Sequence, residues 1–272
     1  MTETRDAAAT PDADALSPDD DDDDDDEGAV RLEATDIVVE RSGKRLLRGV
    51  SLVCRAGTVT GLLGPSGAGK STFFRVLVGE DREHAGRVRL DDRDVSDAPL
   101  HVRARRGLGY MPQGPSVLWD LTVRENLRTF VSITGTRGSA VDPRVEGLLA
   151  KVLLAEHGDT RAGLLSGGER RRLELGRVLA GTPRVVVCDE PFAGVDPGQA
   201  ARLGDLLREL AMSGVAVVLA DHHVDEALRI CTRAALLLDG EIVTSGTPDE
   251  FRAHDVVRGR YLGTLSAAQT RA

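Results

Sequence analysis

The sequence predicts an α/β fold: a mixed sheet with an antiparallel β lobe on one side and a helical insertion in its middle. Three observations carry this. Apolar strand patterns at residues 58–63, 185–188 and 215–220 each run through a polar loop into a helical pattern, the alternation that builds a parallel sheet. Residues 30–55 instead hold two strand patterns on either side of Ser42-Gly43-Lys44, with no helix between them. From 114 to 180 strand patterns vanish and apolar residues recur at helical spacing.

The chain opens on a segment of different character. Residues 1–28 hold thirteen acidic side chains, eight of them in the run Asp19 to Asp26, and one base, Arg5. The whole chain has 44 acidic and 35 basic residues; setting this segment aside leaves 31 and 34, a net of +3. Eight adjacent like charges repel one another and have nothing apolar to bury, so residues 1–28 are expected to be a disordered, solvated tail. Residues 29–263 are expected to form one folded domain, with its helical part at about 114–180, and 264–272 a C-terminal tail.

Composition narrows the function. The near-neutral remainder and the lack of aromatics interleaved with bases argue against nucleic acid, despite the basic stretch 99–106. Apolar runs such as 215–220 fall far short of the ~20 residues that cross a bilayer, so any membrane role has to come through a partner. Cys54, Cys188 and Cys231 form no C-x-x-C pair, and no secretory signal precedes them, which reads as reduced thiols in a cytosolic protein. His84, His101, His157, His223 and His254 show no metal-ligand spacing, and His222-His223 by itself is weak evidence for metal.

In chain order, 30–40 and 46–55 are expected strands, and 58–63 a short buried one. It delivers Gly64-Pro65-Ser66-Gly67-Ala68-Gly69-Lys70-Ser71-Thr72, which fits G-x-x-x-x-G-K-[ST], the phosphate-binding loop. Gly64, Gly67 and Gly69 let the backbone turn tightly and aim N–H groups at phosphate oxygens. The helix expected at 71–78 adds the positive end of its dipole. Lys70 can reach the β- and γ-phosphates of a nucleotide, and the Ser71 hydroxyl can ligate Mg²⁺. Strands are expected at 87–90 and 107–111, then helices at 123–132, 145–154 and 169–179.

Residues 185–188 form an apolar strand that ends in Asp189 and Glu190. Parallel strands present functional groups at their C-terminal ends. There Asp189 can hold Mg²⁺ and Glu190 can polarise the water that attacks a γ-phosphate. Leu165-Ser166-Gly167-Gly168-Glu169 has capping-box spacing between Ser166 and Glu169. Its two glycines leave bare N–H groups at a helix start, a second potential anion site. A helix at 199–212, a strand at 215–220, a helix at 224–230, a hairpin of 234–238 with 241–245, and a helix at 248–253 complete the expected elements.

Two phosphate-binding helix starts in one chain have a known precedent. Leu165 to Glu169, 20 residues before Asp189, resembles the signature motif of ATP-binding cassette (ABC) ATPases. Gln113 in Met111-Pro112-Gln113 looks like the family's Q-loop glutamine. Ala193-Gly194-Val195-Asp196 looks like its D-loop, and His222 like its switch histidine. The resemblance spans about residues 30–263 and implies a P-loop NTPase core that binds ATP and Mg²⁺. It implies a homodimer joined head to tail, where Ser166, Gly167, Gly168 and Asp196 of one copy close on ATP held by the other. It implies catalytic roles for Glu190, His222 and Gln113, and metal contacts from Ser71, Gln113 and Asp189. Where the family has an aromatic that stacks on adenine, this chain has Arg41, whose guanidinium can stack on a base.

Within the family, residues 99–113, 165–173 and 189–197 and the ending Tyr261-Leu262-Gly263 are similar to the ATPase subunits of lipopolysaccharide export. The branched-chain amino-acid import ATPases share several of these features. Either implies a subunit on the cytoplasmic face of the inner membrane, driven by ATP and coupled to a transmembrane permease. The contact with that permease is expected near Gln113, Leu118 and Trp119, where apolar and aromatic side chains precede a helix. Soluble cassette ATPases of translation or DNA repair are a further alternative, but they carry two cassettes or a long coiled-coil insertion, and neither is present. A P-loop kinase would lack the Leu165 to Glu169 motif and His222.

Overall fold

The computed structural model describes residues 28–262; the acidic run and the C-terminal tail lie outside the described residues. Two sheets carry the fold. The first is antiparallel, in the order β2-β1-β4-β5, from β1 (Val30–Arg41), β2 (Lys44–Arg55), β4 (Ala85–Leu90) and the two-residue β5 (Arg93–Asp94). The second has the order β10-β9-β3-β8-β7-β6. Its strands β3 (Val59–Leu63), β6 (Leu108–Met111), β7 (Val185–Asp189), β8 (Ala216–Ala220) and β9 (Arg233–Leu238) run parallel. Strand β10 (Glu241–Gly246) pairs antiparallel at the edge.

The parallel strands are apolar throughout because both faces are covered. Val185 and Val187 pack with the first sheet and with α1 (Lys70–Val78), while Val186 and Cys188 pack on the opposite side, among the remaining helices. A short helix, α2 (Leu100–Arg105), occupies the basic stretch that precedes β6. Its Arg103 is fully buried and donates to the carbonyls of Val76 and Leu77, each at 2.7 Å, at the C-terminal end of α1. A cation there complements the helix dipole. Burial pulls the Arg103 pKa down to about 10. The sequence reading assigned this stretch no helix and this arginine no role.

The helical insertion comprises α3 (Val123–Ile133), α4 (Val141–Lys151) and α5 (Gly167–Leu179). Helices α3 and α5 both begin with full capping boxes, Thr122 with Glu125 and Ser166 with Glu169. Helix α4 starts four residues earlier than the apolar spacing suggested. Its first turn, Val141-Asp142-Pro143-Arg144, carries a proline at N3 and one partly buried apolar residue, so the periodic signal begins only at Val145. Helices α6 (Pro197–Met212), α7 (Val224–Ile230) and α8 (Pro248–Ala253) cover the remaining face. Among the described residues no helix is long and apolar enough to cross a membrane.

Candidate active site

The site forms at the C-terminal ends of β3, β7 and β8. The loop from Gly64 to Gly69 leaves β3 in a conformation that demands glycine at two points. Gly64 has φ +156 and a Cβ there would sit 2.2 Å from the Leu237 carbonyl oxygen. Gly69 has φ +111 and a Cβ would meet Leu47 at 2.8 Å. Lys70 opens α1, and its ammonium turns back into the loop, donating to the Gly64 carbonyl at 2.6 Å and the Pro65 carbonyl at 3.0 Å. Burial lowers the Lys70 pKa, opposed by the negative charges of Glu190, Asp189 and Asp221.

Asp189 ends β7 and is buried. Desolvation, then the neighbouring Glu190 charge, raises its pKa, while a hydrogen bond with the Ser71 side chain and the Lys70 charge lower it. Its Oδ1 is buried without a hydrogen-bond partner among the described residues. A carboxylate with a stranded oxygen beside a serine hydroxyl is a donor set that suits a hard divalent cation such as Mg²⁺.

Two side chains, Gln113 after β6 and His222 after β8, meet the Glu190 carboxylate at the end of β7. Glu190 Oε2 accepts from the Gln113 carboxamide at 2.8 Å and lies 3.4 Å from His222 Nδ1. Glu190 sits at φ +49, a conformation uncommon outside glycine. Its N–H donates to Ala220 at 2.7 Å and its carbonyl accepts from Arg171 at 3.3 Å, which hold the backbone there. Gln113, Glu190, Lys70, Ser71 and the glycine loop line one cavity of about 380 Å³.

The structure brings together every sequence-predicted residue of the loop, Asp189, Glu190, Gln113 and His222. Ser166 caps α5 and Gly167 and Gly168 open it; a Cβ at Gly167 would sit 2.8 Å from the Gly194 carbonyl oxygen, so the signature and D-loop segments pack against each other. Asp196 caps α6 through the Gln199 N–H at 3.1 Å. Arg41 is engaged elsewhere: its guanidinium donates to Asp81 at 2.6 Å and to the Glu83 carbonyl at 3.1 Å. The cavity wall near the loop is built instead by Lys44, Arg45, Leu46 and Arg48 of β2 and by Asp239-Gly240. The sequence reading passed over these. The available signal was the cluster of bases at 44, 45 and 48 at the start of β2, the strand before the one that delivers the phosphate loop.

Arg171 was also missed. It is buried in α5 and donates to the carbonyls of Pro112 at 3.0 Å and Gln113 at 2.7 Å, as well as to Glu174 at 2.9 Å. One side chain thus ties α5 to the glutamine segment and to Glu190. Trp119 and Leu118, by contrast, lie at the surface, 44% and 38% exposed, with the Arg170 guanidinium 4.7 Å from the Trp119 ring.

A glycine loop and lysine on a β3–α1 turn, with two carboxylates at the end of the parallel strand on the far side of β8, define a nucleoside-triphosphate hydrolase of the phosphate-loop class. The ABC transporter family model matches residues 47–193. Lipopolysaccharide export system ATP-binding proteins (LptB) are similar. That of Acidithiobacillus ferridurans is 41% identical over 85% of this chain and 96% of the relative. That of Escherichia coli K12 is 39% identical over 85% and 97%. A nucleotide-free ATP-binding cassette from an ABC transporter superposes with a TM-score of 0.77 at 28% identity, covering 86% of this chain and 99% of that one. The chain belongs to the ABC transporter family, as an ATP-hydrolysing nucleotide-binding subunit. Membership implies dimerisation and pairing with membrane permease subunits.

Proposed function

We propose that this subunit powers lipopolysaccharide export from the inner membrane, working on its cytoplasmic face. The observation that carries the reading is 39–41% identity across 96–97% of relatives named for that process. ATP is held by the loop from Gly64 to Thr72, with Lys70 turning from its own loop carbonyls to the β- and γ-phosphates. Ser71 and Asp189, with Gln113, hold Mg²⁺, which supplies charge neutralisation for the phosphates when bound.

Glu190 positions and polarises the attacking water. Its carboxylate is oriented by Gln113 and faces His222, so a single anchored oxygen meets both a donor from the glutamine segment and the His222 ring. Ser166, Gly167, Gly168 and Asp196 act in trans, closing head to tail on ATP held by a second copy. Arg41 has its guanidinium committed to Asp81, so a stacking role on adenine requires that ion pair to open.

The test is a pull-down of the tagged subunit from detergent-solubilised membranes, with the co-purifying permease identified and ATPase measured on the complex. Recovery of lipopolysaccharide-export permease subunits is expected. Recovery of an amino-acid permease instead would move the cargo to import while leaving the ATPase assignment intact.

A further inference from the structure

We propose that Asp221, His222 and His223, with the Glu190 carboxylate, form a second metal site that takes a transition-metal dication of the zinc type, and that a metal there arrests hydrolysis. The donors sit where β8 ends and α7 begins. His222 Nδ1 is 3.4 Å from Glu190 Oε2 and 3.8 Å from Asp221 Oδ1, and His223 Nδ1 is 2.8 Å from Asp221 Oδ1. The ligand atoms of Asp221, His222 and His223 all lie within 4.8 Å of one another. Donors held about 2.1 Å from a tetrahedral zinc are separated by roughly 3.4 Å. Small side-chain rotations therefore close the Asp221–His222–His223 set, whereas Glu190, 3.4 Å from His222 Nδ1 but outside that 4.8 Å group, must swing in to complete it.

The carboxylate is prepared for this. Asp221 is fully buried, and its Oδ2 accepts from the Phe192 N–H at 3.0 Å while Oδ1 accepts from the His223 N–H at 2.8 Å. The two imidazoles are reachable from solvent and their ring centres are 4.1 Å apart. Two imidazoles with two carboxylates suit Zn²⁺ or Co²⁺, whereas Mg²⁺ prefers all-oxygen sites. The site thus differs in chemical class from the Ser71–Asp189 pair. On binding, the metal takes the Nδ1 lone pair of His223; a proton on that nitrogen is given up to solvent as Nε2 takes one up, so the ring binds as the neutral Nε2–H tautomer with no net proton change.

No rival cluster is at hand among the described residues: no other group of three His, Cys, Asp or Glu brings its ligand atoms so close. The three cysteines are buried with thiol pKa values pushed up to about 12, which disfavours the thiolate a metal needs. The arrest of hydrolysis rests on the proposed catalytic roles of Glu190 and His222, because a metal bound to both holds them away from water and phosphate. The binding does not rest on those roles.

The experiment titrates the full chain, without nucleotide, with Co²⁺ and reads the visible absorption of tetrahedral cobalt. Uptake of one Co²⁺ per chain, displaced by Zn²⁺ and not by excess Mg²⁺, is expected. His223→Asn removes one ligand at a residue outside the hydrolytic machinery. His223 is the N-cap of α7 and makes no side-chain capping bond there, and asparagine is a favoured cap, so the variant should fold. Its Co²⁺ affinity should fall at least about tenfold. ATPase is then measured at free Zn²⁺ fixed by a metal buffer. Wild type should be inhibited, and His223→Asn should keep metal-free activity and lose the inhibition. No tetrahedral cobalt spectrum, or unchanged affinity in His223→Asn, overturns the site. Binding without inhibition overturns the arrest and counts against Glu190 and His222 as the hydrolytic pair.

Discussion

Arg171, in the second turn of α5, donates to the main-chain oxygen of Gln113 across 2.7 Å. The same guanidinium reaches the Glu190 carbonyl at 3.3 Å and pairs with the buried Glu174 carboxylate at 2.9 Å. The helix that begins with the signature residues is therefore bonded directly to both segments that orient the candidate hydrolytic carboxylate. Glu174 in turn accepts the Ser116 N–H at 2.8 Å, which extends the tie beyond Gln113. Arg171→Met strands Glu174 and frees the main-chain carbonyls of Pro112, Gln113 and Glu190. Breaking a buried pair from one side costs roughly 3–5 kcal/mol. The denaturant midpoint should drop accordingly, with Arg171→Met/Glu174→Met recovering part of the loss. A midpoint unchanged in Arg171→Met would mean the pair contributes no net stability.

Much of this network was invisible in the sequence for a physical reason. The glycine loop, the strand ending in Asp189-Glu190 and the Ser166–Glu169 box are local: their residue types sit at spacings set by one turn or one strand end. Arg171 and Arg103 reach carbonyls as far as 59 and 27 residues away, and a basic side chain in a polar-looking helix reads as solvated. Arg41 shows the same limit of local reading. It lies where the family has a stacking residue, but its partner Asp81 is 40 residues on and reaches it only through the fold. Strand β5 is two residues long and carries no periodic signal at all.

Glu190 is the residue on which hydrolysis is expected to turn. Glu190→Gln keeps the shape and the contact with Gln113 but cannot take up a proton from water. ATP binding should persist while steady-state hydrolysis falls ~10²–10⁴-fold, the usual loss for one positioned base. An ATP-bound dimer should accumulate, visible by size-exclusion chromatography. Near-normal turnover would remove Glu190 from that role.

Composite sites make a sharper test of the dimer. Lys70→Ala damages the phosphate loop, and Ser166→Arg obstructs the signature helix start. Mixed in one heterodimer, the two changes leave one site intact and concentrate both defects in the other. ATPase should rise above either homodimer alone. No recovery in a preparation proven to contain heterodimers would argue that each copy hydrolyses ATP by itself.

The start of α5 should be pH-sensitive in a definite direction. Hydrogen bonds from the Ser166 side chain and, less strongly, from its N–H hold the Glu169 pKa below the usual 4.5, with His157 adding to the effect. Its folded pKa is depressed, so the stabilising contribution is fully present above pH 4.5 and is lost as pH falls through the folded value. Amide exchange at 167–169 should therefore be slower in wild type than in Glu169→Gln at pH 7, and the two should converge in acid. A difference that persists unchanged into acid would assign it to packing instead of the charge.

The permease contact can be tested because its candidate residues are not part of the core. Leu118 and Trp119 are 38% and 44% exposed and belong to neither buried core cluster. Their loop is held from beneath by Asn126, which is fully buried. Its carboxamide accepts from the Leu118 N–H at 2.8 Å and donates to the Leu118 carbonyl at 2.9 Å. Trp119 rests against Arg170, one residue beyond the signature box, so a partner pressing on the ring presses on α5 as well. Exposed aromatic and leucine anchors on a rigid loop are what a short partner helix docks against. Leu118→Ala and Trp119→Ala should then leave melting temperature and ATP binding of the isolated subunit nearly unchanged, and should weaken co-purification with the permease. Asn126→Ala should do both kinds of damage, because it strands the Leu118 N–H and releases the loop. If Trp119→Ala unfolds the isolated subunit, the ring is a structural anchor. If both surface variants fold and still retain the permease in full, the docking surface lies elsewhere on the insertion.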